Sequence, residues 1–277
     1  MQAARSFVFR DWLALVVIGA GASAAATVFF TQAFVYGNPT TPLLLQKLQP
    51  VFAVAAAHLL LGERLLRRYG LYFSAAMMGA YLVTFPDPFA VGIEGSALAG
   101  LALAAALLWG LGTVLGRHLT AKVEFAPLTA LRFAVGFPAS AVILFAVGEQ
   151  GSLASIGARD SVSLLLLALI PGLAALLIYY RGLRETPAAS ATLAELTFPL
   201  SALTINYLAF DAVLGESQWL GLAVLVVTIT AMVRASKRGG EELGVTWSTR
   251  SSRAEAPHDR DPVHSQLDPE PRCPQLK

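Results

Sequence analysis

The chain has 277 residues, of which 56% are hydrophobic and only 14% charged, with a net charge of +2. Its mean hydropathy of +0.62 excludes an ordinary soluble domain and a nucleic-acid binder, and points to a polytopic membrane protein. Its single cysteine, Cys273, excludes a disulfide framework and a thiolate metal site within one chain.

A membrane span needs about 20 mostly apolar residues to cross a hydrocarbon core of roughly 30 Å. In chain order the stretches that qualify are 12–35, 40–61, 69–86, 94–116, 127–147, 162–180, 188–210 and 218–235, eight in all. Gly37-Asn38-Pro39, Pro86-Asp87-Pro88, Ala126-Pro127 and Thr186-Pro187 punctuate them. Residues 236–277 carry seven basic and seven acidic side chains and little apolar content, which predicts a disordered tail. Arg5, Arg10 and the apolar stretch that follows would also suit a signal peptide. That apolar run is longer than an h-region, however, and its end takes part in the repeat described next.

Basic residues fall on alternate connections. Arg5 and Arg10, then Arg64, Arg67 and Arg68, then Arg117 and Lys122, then Arg181 and Arg184, then Arg234, Lys237 and Arg238 share one side. The other connections hold only Arg159, so the positive-inside rule predicts both termini in the cytoplasm.

Phe29 to Leu65 and Ile178 to Gln218 are two copies of one pattern. Each has aromatic residues, a polar turn, a small-residue run, a proline inside the apolar stretch (Pro50, Pro199) and a terminal Gly-Glu (Gly62-Glu63, Gly215-Glu216). The second copy is four residues longer between proline and Gly-Glu, about one helical turn, so the same face is retained. Spans one to three thus match spans six to eight. An offset of five spans inverts the copies, and Pro-interrupted inverted repeats point to a secondary transporter. The expected fold is an all-α transmembrane bundle with three domains of organisation: a three-span first repeat over 1–93, a five-span second repeat over 94–235 and the tail over 236–277. The first repeat looks short by two helices, so a naturally short gene or a late start codon is expected.

Three stretches carry a family resemblance: Pro50 to Leu65, PVFAVAAAHLLLGERL; Leu107 to Phe133, with Trp109, Arg117 and Arg132; and Ala191 to Glu216. Together they resemble EamA-type members of the drug/metabolite transporter superfamily. The resemblance implies two inverted five-helix repeats around a central substrate site, and export of amino-acid-like or drug-like compounds across the cytoplasmic membrane.

Ionisable groups inside a span cost about 2.5–3.5 kcal/mol each and are functional candidates by default. Lys47 and Glu195 lie about 10 Å from their helix ends, and Arg132 about 8 Å, at 1.5 Å per residue. Lys47 and Glu195 fall on repeat-related helices, Glu195 aligning with Gln46. One expectation is that they line a polar cavity, with Glu195 taking a proton or cationic group and Lys47 an anionic one. The other is a structural ion pair, or snorkelling, to which Arg132 is best placed. Gln46, Gln49 and Asn206 add amides that would bind substrate or tie helices together. Pro50 and Pro199 each free the carbonyl four residues earlier, those of Gln46 and Glu195, which is tolerated in a membrane where it lines a cavity.

Glu63, beside Arg64, Arg67 and Arg68, is expected in a surface ion pair, His58 at a satisfied helix end, and Gly112 and Gly116 in close helix packing. No P-loop, zinc signature or nucleophile elbow is present, so neither enzyme chemistry nor a cofactor or metal is expected. The expected partners are the lipid bilayer, a small-molecule substrate and, as an option, a second copy in a homodimer; nucleic acid is not among them. The competing reading is a non-transporting membrane component, or a truncated fragment that needs a partner chain.

Overall fold

The computed structural model describes residues 7–35, 40–65, 67–85, 87–90, 92, 96–148, 151, 156–210, 215–237 and 245–246. The expected helical bundle is what forms. Its elements are α1 (Phe9–Val35), α2 (Thr40–Gln46), α3 (Gln49–Leu61), α4 (Arg67–Thr84), α5 (Ser96–Thr120), α6 (Phe125–Val147), α7 (Ala158–Glu185), α8 (Ala188–Glu195), α9 (Thr197–Phe210) and α10 (Glu216–Lys237). These match the eight predicted spans, because α2 with α3 and α8 with α9 are each one interrupted span. Six of the eight are both long and apolar enough to cross a membrane. The other two are α4 and α10. A two-residue antiparallel pairing of Arg64–Leu65 with Val245–Thr246 is the remaining regular structure among the described residues. Within the tail expected to be disordered, 236–277, residues 236–237 continue α10 and Val245–Thr246 make this pairing; its other residues lie outside the described residues, as do Pro86 and Gly37-Asn38-Pro39.

Local chemistry explains the boundaries. The α1 start is fixed by the Asp11 carboxylate, which accepts the Val8 N–H at 3.0 Å and so satisfies one of the unpaired donors of a helix N-terminus. Asp11 is fully buried and also accepts from His118 Nε2 at 2.8 Å and Lys122 Nζ at 2.7 Å, which fastens α1 to the end of α5. Gly62, with φ of 67°, ends α3 in the left-handed conformation that a side chain would resist.

Two spans pass through π-helical segments, Val17–Ala25 in α1 and Ala168–Ala174 in α7. They end on Ala25 and Ala174, 149 residues apart, which is also the separation of Pro50 and Pro199. The repeat is therefore written into backbone geometry as well as residue type. Single-turn π distortions inside helices tend to accompany functional sites.

Packing depends on small residues, as expected where lipid is as apolar as the helix surface. A Cβ on Gly221 would come within 2.7 Å of the Val83 backbone nitrogen, and one on Gly79 within 2.9 Å of Leu225, so α4 and α10 touch backbone to backbone. A Cβ on Gly112 would meet that of Ala22 at 2.8 Å, and one on Gly116 would meet the Tyr180 ring at 3.0 Å, which is the close packing expected of them. Large apolar side chains of α6 and α7, among them Phe137, Phe145, Leu167 and Ile178, face outward. In a bilayer such a surface meets acyl chains rather than water.

Candidate functional site

Both interrupted spans break where the prolines predict. Pro50 and Pro199 offer no N–H to the carbonyls of Gln46 and Glu195, and these two residues end α2 and α8. The chain crosses each gap with tight three-residue bonds: Lys47 N–H to Leu44 at 3.0 Å, Leu48 N–H to Leu45 at 3.0 Å, and Leu196 N–H to Leu193 at 3.2 Å. At both breaks the backbone turns toward polar space.

That space is a cavity of about 530 Å³ lined by both broken spans, with Gln46, Lys47, Gln49 and Pro50 on one side and Glu195, Phe198, Pro199 and Ser201 on the other. A second cavity of about 280 Å³ shares Gln46, Gln49 and Glu195 and adds Trp109, Thr113, Arg132 and Tyr179. A third, of about 430 Å³, shares Trp109, Arg132 and Tyr179 and reaches Ser23 and Thr27. Successive cavities share walls, so polar groups run from Lys47 past Glu195 to Arg132.

Glu195 is the best-coordinated group in this run. Tyr179 OH donates to its Oε1 at 2.7 Å, Thr113 Oγ1 donates to the same oxygen at 3.1 Å, and Gln49 Nε2 donates to Oε2 at 3.1 Å. Hydrogen bonds to a charged group are each worth about 1.5–3 kcal/mol. Three of them together exceed the roughly 3 kcal/mol of placing a carboxylate at a helix centre. Glu195 therefore needs no ion pair, and among the described residues none joins it to Lys47. The structural-pair expectation fails for that reason.

Of the other predicted residues, Gln46, Gln49 and Lys47 face the cavities beside Glu195. Arg132 does not snorkel. Its Nε donates to Ser23 Oγ at 2.7 Å and Nη1 donates to Tyr180 OH at 2.9 Å, which turns it into the bundle. Asn206 is on α9, and its side chain lies outside the described residues.

Glu63 overturns its expectation. It is 3% exposed and forms no surface ion pair among the described residues. Its carboxylate accepts the Ala188 N–H at 2.8 Å and the Ala189 N–H at 3.0 Å, and Tyr69 OH donates to the Ala189 carbonyl at 2.9 Å. A carboxylate at a helix N-terminus meets both unpaired donors and the positive end of the helix dipole. The end of span two thus holds the half-helix that carries Glu195. His58 is satisfied as expected, its Nδ1 lying 2.9 Å from the Glu63 carbonyl.

Sequence reasoning missed Tyr179, Thr113 and Trp109 as wall residues. Tyr179 had a signal: it occupies the repeat position of Phe30 and differs by the hydroxyl that reaches Glu195. Thr113 had none, since a lone threonine in an apolar span is ordinary.

An apolar helical bundle with two mid-span breaks around shared polar cavities is an architecture of secondary transporters. The chain belongs to the EamA-like transporter family, whose pattern matches residues 2–85 and 97–234. It is thus an integral membrane protein. It is 34% identical over 201 residues to the riboflavin transporter ImpX of Fusobacterium nucleatum subsp. nucleatum, covering 72% of this chain and 66% of that protein's length. A solved crystal structure shares the fold with a TM-score of 0.67 at 18% identity, covering 82% of this chain and 77% of the other.

Proposed function

We propose that the chain moves a small polar metabolite or drug-like compound across the cytoplasmic membrane by alternating access, in the direction of export, with both termini in the cytoplasm. Glu195 is the coupling carboxylate. The observation that carries this reading is a carboxylate at a helix break that three neutral donors stabilise and, among the described residues, no cation pairs with. Such a group takes up a proton or a substrate cation without leaving a partner charge stranded. Lys47 and the amides of Gln46 and Gln49 line the same cavity and would meet the acceptor groups of a solute.

The resemblance to a riboflavin transporter makes riboflavin the first solute to test. Wild-type protein in vesicles under a proton gradient should accumulate it, read by its own fluorescence. Glu195→Gln should abolish gradient-driven accumulation while leaving binding in detergent within a few fold and thermal stability unchanged. Full transport by Glu195→Gln would remove Glu195 from the mechanism.

A second reading, a component that works only with a partner chain, is supported by α7, whose most apolar window has no buried residue within this chain. Transport by vesicles that contain the purified chain alone would end that reading.

A further inference from the structure

Arg132 has more hydrogen-bonding capacity than the protein uses. A guanidinium offers five N–H donors in a planar fork. Ser23 takes one and Tyr180 another, and the Tyr180 ring centroid lies 5.7 Å from the guanidinium carbon. The other three donors have no partner among the described residues, although Arg132 stands in a span and lines two of the cavities. These N–H groups open onto the cavities rather than being sealed inside the protein, so water or a solute can complete them there.

The surroundings describe that solute. Glu195 lines the same 280 Å³ cavity, yet no salt bridge joins it to Arg132 among the described residues, so the two charges stand on its walls more than a contact apart. Trp109 lines the same cavity, held by an edge contact to Phe30 with centroids 5.1 Å apart. Ala22 and Gly112 line the same cavity and project almost nothing into it.

We infer that Arg132 sets specificity by taking a planar two-acceptor edge of a flat solute, whose donor edge faces Glu195 and whose body lies along Trp109. The edge is either a carboxylate or a ring edge that sets a carbonyl oxygen beside an unprotonated ring nitrogen, since each presents two adjacent acceptors to the fork. This inference rests on the transport reading of the cavity, and names the chemical class of solute within it. Lysine would keep the charge and lose the fork.

The test is calorimetric binding to purified protein in detergent. Three flat probes are compared: lumichrome with its carbonyl–nitrogen ring edge, indole-3-acetate with its carboxylate, and phenazine with neither. At least one of the first two should bind and phenazine should not, and whichever binds identifies the edge. Arg132→Lys should weaken that binding at least tenfold. Tyr180→Phe keeps the ring and charge but frees one arm of the fork. It should weaken binding threefold or more, and it serves if the Arg132 variant fails to fold. Unchanged affinity in a folded variant, or wild-type protein that ignores both edged probes, overturns the inference. Because binding is measured without a gradient, Arg132-dependent binding beside absent transport would sink the transport reading and leave this one standing.

Discussion

The two broken spans share a backbone and differ in what surrounds it. Span two ends its first half on Gln46 and span seven on Glu195, 149 residues apart, each released by a proline four residues on. Around Glu195 three helices supply a hydroxyl, a phenol and an amide. Around Gln46 the described residues supply no side-chain hydrogen bond, only cavity. The contrast recurs at the Gly-Glu ends. Glu63 is buried and caps α8, while Glu216 is exposed in the first turn of α10. A duplicated helix break thus provides the same backbone geometry twice, and side-chain divergence gives the copies different chemistry: a hydrogen-bonded carboxylate at one, an amide beside Lys47 at the other.

The contrast breaks most severely if the two break residues prove interchangeable. Glu195→Gln should lower gradient-driven transport by at least about 100-fold, a loss of near 2.7 kcal/mol in the driving step. Gln46→Leu should lower it only about threefold, the scale of one intramembrane polar contact at about 0.6 kcal/mol. Vesicle assays at matched protein levels read both.

The Gly-Glu ends come next. Glu63→Ala leaves two N–H groups of α8 without partners, which should cost roughly 2–4 kcal/mol. For a chain of this size that lowers the melting temperature by about 5–12 °C. Glu216→Ala should stay within about 0.5 kcal/mol, as exposed positions do. Equal losses in the two variants, measured by thermal unfolding in detergent, would show that the repeats divide no labour at their ends.

The close approach of α4 and α10 gives a smaller effect. Gly221→Leu inserts a side chain where a Cβ already comes within 2.7 Å of backbone, and should cost about 1–3 kcal/mol by overpacking. Gly70, whose Cβ position has nothing within 4 Å, should accept alanine almost freely. Smallest is the tail: removal of residues 248–277 should change stability by less than about 0.5 kcal/mol, because its balanced charge and low apolar content build no core.

What the sequence determined follows from rules that act locally. Apolar runs of span length require helices in lipid, and a proline breaks the helix at the carbonyl four residues before it. The eight spans, the broken pair and the positions of Gln46 and Glu195 were therefore legible from residue type and spacing. So was the transporter class, through the repeat and the EamA-type stretches. Only the tertiary structure decided the partners. Glu63 lies beside three arginines in the chain, yet it caps a helix 125 residues away, because α8 packs against α3 and presents two unpaired N–H groups there. Arg132 lies near a helix end, where a free side chain would reach for the interface. The π-distorted stretch of α1 instead places Ser23 beside it, and α7 places Tyr180. Thr113 and Trp109 became wall residues because Gly110 and Gly112 let α5 come against α3 and α1 without a side chain between. Hydrogen-bond partners in a membrane are set by which helices meet face to face. No spacing along one chain encodes that, since a donor in lipid takes whichever acceptor the packing brings within 3 Å.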